Sequence, residues 1–328
     1  MKRCFISAKL RPLVPGATFD TQVTEELDEF VGDEEFFQSV CGEGILLLSS
    51  EYDKTSLHFY EYCESKKIPI VYLTFEYLFG SKVLVDRVVS NEFLKQFRGI
   101  YYRPPSIDDH VMAPYVAVLE SFIEFFPGNV VNRPKSSVKN ISKPWQMADT
   151  IMKVGTAVKP IKTLLTNNPD VLARCNSRQT IAKSISDVRS TVKVLGEIQH
   201  DQKCKRLHSP IQVQKKLNGF NIRVHVIGQN ISAIKVDSDS IDYRVSDFRS
   251  FSEISLPEDV KKWCLRASKA EKLEFAGVDL FRSTKDQAFY CFEINPSPGY
   301  HFYEKNAKLD YKITNWIVDY LIPKSIGE

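Results

Sequence analysis

The sequence lacks an apolar segment long enough to cross a bilayer. Its apolar runs, such as Gly44–Leu48 and Ile68–Phe75, have the length of strands in a protein core. Residues 1–15 carry Lys and Arg, but no continuous apolar stretch follows them. We therefore expect neither a secretory signal nor a membrane partner.

Disulfide and metal-cluster spacings are also missing. The seven cysteines are scattered singly along the chain, which excludes a disulfide framework or a zinc motif and predicts reduced thiols in a cytoplasmic protein. A large excess of one charge is absent too, because the formal net charge is +3 and basic residues are not clustered with aromatic ones. We therefore expect no nucleic acid among the partners.

Several motifs that mark common enzyme classes do not occur. There is no GxxxxGK[ST] loop and no GxGxxG after a strand, which disfavours phosphate-loop and dinucleotide-binding proteins. Neither a GxSxG elbow nor an HExxH helix is found, and the six histidines are isolated along the chain. Nucleophilic triads and zinc-protease sites are therefore not expected.

What is present is an ordinary globular composition over 328 residues, with 43% hydrophobic and 26% charged residues. This length predicts two or three packed subdomains. In the first third, the predicted strands 45–48 and 68–73 flank helical spacing over 55–66, which indicates a βαβ crossover and a parallel sheet. A further strand over 99–102 and a helix over 112–126 complete this unit, which we place at residues 1–129.

Two more units follow. In the unit over 130–209, Ser142 is a predicted helix cap, Gly155 a predicted helix end, and a strand over 180–182 leads into Lys183. A strand is also predicted over 161–165. The unit over 210–328 is predicted to contain strands 211–214, 222–227 and 231–236, with a hairpin turn at 228–230 and a helix from Glu258.

A pair of acids lies on two adjacent predicted strands near the carboxyl end. Alternation over 275–281 places Asp279 on one face. In the strand over 289–295, the same alternation places three residues on one face: Cys291, Glu293 and Asn295. A hairpin connection sets Asp279 opposite Cys291 or Glu293.

Acids that project together from an apolar ribbon repel each other unless a cation lies between them. Oxygen ligands in this arrangement suit Mg²⁺, which shares its remaining positions with substrate phosphates. The alternative is a solvated sheet face on which Asp279 and Glu293 are ordinary surface residues. The rigid turn 295–299 directly after Glu293 favours a site.

Three cations could serve a nucleotide. Lys143 lies at the predicted helix start and Lys183 at a strand end, where the backbone limits the position of the ammonium group. Arg223 lies inside an apolar strand, which is costly unless the guanidinium meets an anion. Each lysine alone is equally compatible with an ordinary surface residue.

The order of these features resembles the ATP-grasp ligases, in particular the ribosomal-protein glutamate ligases and the graspetide (microviridin-type) peptide-maturing ligases. The residues that carry the resemblance are Val131-Asn132-Arg133-Pro134, Lys143, Lys183, Val213-Gln214-Lys215-Lys216-Leu217, Asn221-Ile222-Arg223, Phe275-Ala276-Gly277-Val278-Asp279 and Cys291-Phe292-Glu293-Ile294-Asn295. Tyr101-Tyr102-Arg103-Pro104 and Asp242-Tyr243-Arg244 favour the peptide-maturing branch. The resemblance covers residues 100–305 by motif.

This resemblance implies an ATP-grasp fold, α/β with an α+β carboxyl-terminal part. A pre-ATP-grasp α/β domain (1–129) would precede the central (130–209) and carboxyl-terminal (210–328) ATP-grasp subdomains. It implies ATP and Mg²⁺ as cofactors, with these site residues: Lys143 and Lys183 on the nucleotide, Gln214, Lys215 and Leu217 at the adenine hinge, Asp279, Glu293 and Asn295 on the metal, and Arg223 on the transferred phosphoryl group. Asp242, Arg244 and Arg103 would hold an acidic substrate or precursor peptide.

The implied activity is ATP-dependent ligation of a carboxylate to an amine or hydroxyl through an acyl phosphate, on a peptide or protein, in a possible homodimer. One alternative in the same fold is a small-molecule kinase, which would release no inorganic phosphate. Another is a nucleotide-binding regulator without catalysis. The second alternative is motivated by Lys215 and Asn221, which stand where the family usually has acids.

Overall fold

The computed structural model describes residues 5–6, 44–76, 97–104, 113–136, 142–185, 192–197, 209–240, 246 and 248–323. The chain divides into two compact units, residues 1–134 with 318–328, and residues 135–317. Within the described ranges, no helix combines the length and the apolar character that a membrane span requires.

The first unit contains a five-stranded sheet in the order β1-β3-β2-β4-β5. Its strands are β1 (Phe5–Ile6), β2 (Gly44–Ser49), β3 (Ile70–Thr74), β4 (Phe97–Tyr102) and β5 (Asn129–Val131), and its helices are α1 (Lys54–Ser65) and α2 (Ala113–Phe125). All neighbouring strands run parallel, which confirms the predicted βαβ arrangement. The strands β2 and β3 are buried along their whole length, as expected for a parallel sheet covered on both faces.

The second unit contains two sheets whose strands pair antiparallel, apart from one parallel pair at the edge of the larger sheet. The smaller one has the order β7-β10-β8-β9, with β7 (Thr163–Thr166), β8 (Thr180–Ser184), β9 (Val192–Val194) and β10 (Ile211–Lys215), beside the short helix α4 (Pro169–Ala173). A small core of Leu172, Ala182, Leu195 and Val213 holds it together. Strand β8 confirms the strand predicted over 180–182 that leads into Lys183.

The larger sheet has six strands in the order β13-β12-β11-β14-β15-β6. They are β6 (Lys159–Pro160), β11 (Gly219–Ile227), β12 (Asn230–Ser238), β13 (Arg249–Ile254), β14 (Phe275–Ser283) and β15 (Phe289–Asn295). The predicted hairpin joins β11 to β12, where Ile227 pairs with Asn230 across Gly228 and Gln229. Gly228 has φ +56°, a conformation that glycine adopts without steric cost.

Helices α3 (Lys143–Val154) and α5 (Glu258–Ala270) contribute to the core on one face of this sheet, and α6 (His301–Asn306) and α7 (Lys312–Leu321) follow β15. Trp263, Cys264 and Ala267 of α5 pack with apolar residues of β11 and β14. The buried Thr150 hydroxyl donates to Glu271 Oε1 at 2.8 Å, and Trp263 Nε1 donates to the carbonyl of Gly155 at 2.8 Å. These bonds fix α3 to α5.

The strand predicted over 161–165 corresponds to β7, which begins at Thr163. The short strand β6 ends at Pro160, before the predicted range, and belongs to the other sheet. Strand β13 was not predicted, because its residues are mostly exposed and polar, as at a sheet edge.

Candidate active site

A β-bulge places the two acids side by side. Strands β14 and β15 pair with Asp279 opposite Glu293, but Leu280 pairs with Cys291, so Phe292 is an extra residue. Cys291 therefore points into the apolar core with Ile294, and Glu293 points to the other face. The prediction that Asp279 could lie opposite Glu293 is confirmed. The prediction that Cys291 shares the face of Glu293 is wrong, because the bulge breaks the alternation.

Each acid of the pair meets a cation. Arg223 Nη1 lies 2.8 Å from Asp279 Oδ1, since Arg223 and Asp279 are register partners on β11 and β14. Lys143, the first residue of α3, forms an ion pair with Glu293. The side chains of Lys143 and Arg223 are 8% and 10% exposed, so both charges are held in a setting where solvent screens them weakly.

Burial and charge act differently on the two acids. Burial raises the pKa of Asp279 to about 6, Arg223 opposes that shift, and the Glu293 charge adds to it. Burial also acts to raise the pKa of Glu293, but Lys143, with smaller help from Arg223 and Lys183, brings it below its ordinary value. Burial and the neighbouring acid thus oppose ionisation of Asp279, whereas the ion pair with Lys143 favours ionisation of Glu293.

The turn after β15 fixes the third oxygen ligand predicted at the site. Asn295 Oδ1 accepts a hydrogen bond from the backbone N–H of Ser297 at 2.8 Å. Gly277 lies opposite Asn295, and a Cβ at this glycine would lie 2.5 Å from Pro298 Cβ and 3.0 Å from Arg223 Nη1. The absence of a side chain at Gly277 thus leaves room for both the turn and the arginine.

A cleft of about 560 Å³ opens at these residues. Nine of the predicted site residues line it: Lys143, Lys183, Gln214, Lys215, Leu217, Arg223, Asp279, Glu293 and Asn295. The Lys183 ammonium lies 5.1 Å from the centroid of the Phe292 ring. At the predicted hinge, the backbone N–H of Lys216 donates to the carbonyl of Gln179 at 2.7 Å, which ties β10 to the residue before β8.

The remaining predicted residues differ. Asp242 and Arg244 lie outside the described residues. Arg103 is buried in the first unit and forms two hydrogen bonds of 3.1 Å with the Asp53 carboxylate. The role of Arg103 in holding an acidic substrate stays a prediction.

Three residues that were not predicted from the sequence make specific contacts at the site. Gln146 of α3 is hydrogen-bonded to the main chain of Ile294. Tyr303 lines the cleft with its ring centroid 5.3 Å from the Arg223 guanidinium, and Phe292 is the bulge residue. Only Gln146 carried a sequence signal, because it follows Lys143 by three residues and so shares its helix face.

Solved structures with the same architecture define the fold. The chain superposes on the ATP-grasp ligase PsnB, solved with a phosphomimetic variant of its minimal precursor, Mg and ADP, with a TM-score of 0.66, 19% identity, and coverage of 86% of this chain and 98% of that one. It also superposes on the macrocyclase MdnC of Microcystis aeruginosa MRC, bound to the precursor peptide MdnA, with a TM-score of 0.62, 15% identity, and coverage of 86% and 100%. The chain therefore has the ATP-grasp fold.

Sequence comparison places it within that class. A family model described as the RimK-like ATP-grasp domain matches residues 137–321. A probable alpha-L-glutamate ligase of Mannheimia succiniciproducens is 27% identical over 182 residues, 53% of this chain and 56% of that protein. One of Haemophilus ducreyi is 32% identical over 158 residues, 47% and 50%. The chain matches about half the length of these relatives. Because the family model covers more than half of the chain, the chain belongs to the RimK-like ATP-grasp family.

Proposed function

We propose that this chain is an ATP-dependent ligase that joins a carboxylate to an amine or hydroxyl through an acyl phosphate. The substrate carboxylate attacks the γ-phosphorus of ATP, the bond to the β,γ-bridging oxygen breaks, and ADP leaves. The acceptor nitrogen or oxygen then attacks the acyl carbon, loses its proton and displaces inorganic phosphate. The product is an amide or an ester.

The observation that carries the proposal is the convergence of two acids and two cations in one cleft. Asp279 and Glu293 are register partners, and Arg223 and Lys143 pair with them. Chemistry of this kind needs positioning and charge stabilisation rather than a nucleophilic side chain. Lys183, held over the Phe292 ring, adds a positive charge for the phosphates.

The donor set fits Mg²⁺. Two carboxylates and an amide are hard oxygen ligands, and burial together with the Glu293 charge raises the pKa of Asp279, so a bound cation would favour its ionised form. Asp279, Glu293 and Asn295 would hold the ion, which when bound would screen the charge of the ATP phosphates. Arg223 would then face the transferred phosphoryl group or the acyl phosphate.

We propose a peptide or protein as the substrate. Two structural neighbours were solved with precursor peptides, and the curated relatives are described as probable alpha-L-glutamate ligases. Asp242 and Arg244 remain our candidates for holding an acidic part of that substrate.

We also propose the three-domain division at 129/130 and 209/210, with residues 215–217 joining the last two domains around the nucleotide. Limited proteolysis with and without a nucleotide analogue would test these boundaries. A homodimer stays a prediction, which size-exclusion chromatography with light scattering would test.

Glu293→Gln tests the function. With ATP, Mg²⁺, L-glutamate and a glutamate-rich peptide, we expect the wild-type protein to release ADP and inorganic phosphate in equal amounts and to shift the peptide mass. The turnover rate of the variant should be at least 100-fold lower, because the substitution removes one charged oxygen ligand. Its melting temperature should stay within a few degrees of the wild type.

The matched control is Glu258→Gln, the same chemical change at an exposed site on α5, which should retain full turnover. ADP release without inorganic phosphate would indicate a kinase instead. Nucleotide binding without any turnover across a broad panel of carboxylates and peptides would indicate a regulator. Retained turnover in Glu293→Gln would refute the metal role of this residue.

A further inference from the structure

We infer that Gln146 is a positioning residue that fixes two of the three proposed metal ligands through the main chain of Ile294. This inference rests on the proposed function, because it concerns the same metal site. Gln146 lies three residues after Lys143, in the first turns of α3.

The amide of Gln146 makes two hydrogen bonds to one residue. Its Nε2 donates to the carbonyl of Ile294 at 2.8 Å, and its Oε1 accepts from the N–H of Ile294 at 3.0 Å. Gln146 is 2% exposed, so solvent offers little substitute for either bond. A carboxamide is the same chemical group as a peptide bond, and here it forms both bonds that a neighbouring strand would form.

The position of these bonds follows from the sheet. On one side, β15 pairs with β14 through residues 289–291 and 293–295. On the other side, β6 pairs only with Tyr290 and Cys291 among the described residues. Beyond the bulge, the main chain of Ile294 therefore has no pairing with β6 on the outer edge of β15. The Gln146 amide supplies the two hydrogen bonds there instead.

Ile294 lies between two of the three proposed metal ligands, Glu293 and Asn295. Its side chain points into the core, whereas Glu293 and Asn295 line the cleft on the opposite face. A displacement of the Ile294 main chain therefore moves both ligands at once. Ligand sets need their geometry held to within about 0.5 Å, so the fixing of this one residue controls the metal site.

The helix that carries Gln146 is itself held firmly. Thr150 and Gly155 bond to Glu271 and Trp263 at 2.8 Å each. Lys143, one turn before Gln146, pairs with the side chain of Glu293. One face of α3 thus fixes β15 twice, through the Glu293 side chain and through the Ile294 main chain.

A purely structural role would make Gln146 a buried amide that adds only to stability. Gln146→Met separates the two roles, because Met has similar length and volume but offers no amide. The matched control is Thr150→Val, which removes a different buried polar contact of α3, to Glu271, without touching β15. The probe is Mn²⁺ in the presence of ADP, followed by electron paramagnetic resonance, with melting temperatures recorded for each protein.

We expect Gln146→Met to weaken Mn²⁺ binding by at least tenfold and Thr150→Val to leave it within twofold, although both lower the melting temperature. Hydrogen exchange should show faster exchange of the Ile294 amide in Gln146→Met only. Unchanged Mn²⁺ binding in Gln146→Met would overturn the inference, and so would equal weakening in both variants. If Gln146→Met does not fold, Gln146→Asn, whose shorter amide cannot reach both groups, takes its place with the same expectation.

These results are distinguishable from failure of the proposed function. If the wild-type protein itself binds no Mn²⁺ with ADP, the proposed function fails and the inference is overturned with it. If the wild type binds and turns over but the Gln146 variants behave like the wild type, the function stands and only the role of Gln146 is refuted.

Discussion

Asp279 and Glu293 are neighbours across two strands, but their pKa values shift in opposite directions. Both are partly buried, which disfavours the charged form. Glu293 forms an ion pair with Lys143 that outweighs burial, whereas Asp279 has Arg223 on one side and the Glu293 charge on the other. The difference between two adjacent carboxylates thus comes from which cation each one reaches.

This difference predicts how the metal-free protein responds to pH. The pKa of Asp279 lies at about 6 in the folded chain against an ordinary value of 3.8. Between these two pH values, Asp279 is therefore protonated more in the folded state than in the unfolded state. Stability contributed by Asp279 should therefore be complete below about pH 4, fall as pH rises to about 6, and change little above it.

Urea unfolding in EDTA at a series of pH values would measure this. Asp279→Asn has no group that titrates at this position. Its free energy of unfolding should therefore fall less between pH 4 and 6 than that of the wild type. If wild type and variant show the same dependence on pH in that range, the raised pKa of Asp279 is refuted.

At the scale of elements, the bulge in β15 does two things. It lets Cys291 and Ile294 both face the core while Glu293 faces the cleft, and it adds Phe292 to the lining. The Phe292 ring packs edge-on against Phe281 with centroids 5.9 Å apart, and Lys183 lies over it. A strand of regular alternation would not supply this aromatic contact.

The ring should help to restrain Lys183 for the nucleotide. Phe292→Ala and Phe292→Leu should both weaken binding of a non-hydrolysable ATP analogue about two- to fivefold, corresponding to about 0.5–1 kcal/mol for a cation–π contact. Isothermal calorimetry would measure it. Wild-type affinity in Phe292→Leu, with a loss only in Phe292→Ala, would show that apolar bulk and not the aromatic face is what counts.

At the scale of the whole molecule, the net charge of +3 conceals a strongly charged cleft. Lys143, Lys183, Lys215 and Arg223 line it together with Asp279 and Glu293. We expect such a site to bind a polyanion and a divalent cation more favourably together than either alone, since each screens the repulsion that the other meets.

Ligand linkage makes this measurable. ADP with Mg²⁺ should stabilise the folded state by about 2.7 kcal/mol at a ligand concentration 100 times the dissociation constant. The melting temperature should rise accordingly. ADP with EDTA should give a much smaller shift. Equal shifts with and without Mg²⁺ would contradict a shared site for the metal and the nucleotide.

Much of the larger pattern was readable from the sequence. Alternation in β14, a polar connector and the Asn-Pro-Ser-Pro turn after Glu293 predicted the paired acids, and the spacing from Ser142 to Gly155 predicted α3. These are local patterns in which backbone periodicity decides which way a side chain points. They also agree with one another, which is why the family resemblance could be drawn from them.

Tertiary structure alone decided the rest. Whether Asp279 faces Cys291 or Glu293 depended on a bulge that no periodicity reveals, and the partners of Lys143, Gln146 and Arg103 lie 50 to 150 residues away or on other elements. A hydrogen bond or ion pair across such a distance depends on how elements pack, and packing depends on the whole core. The sequence by itself determined which residues could form the site, and the fold determined which of them meet.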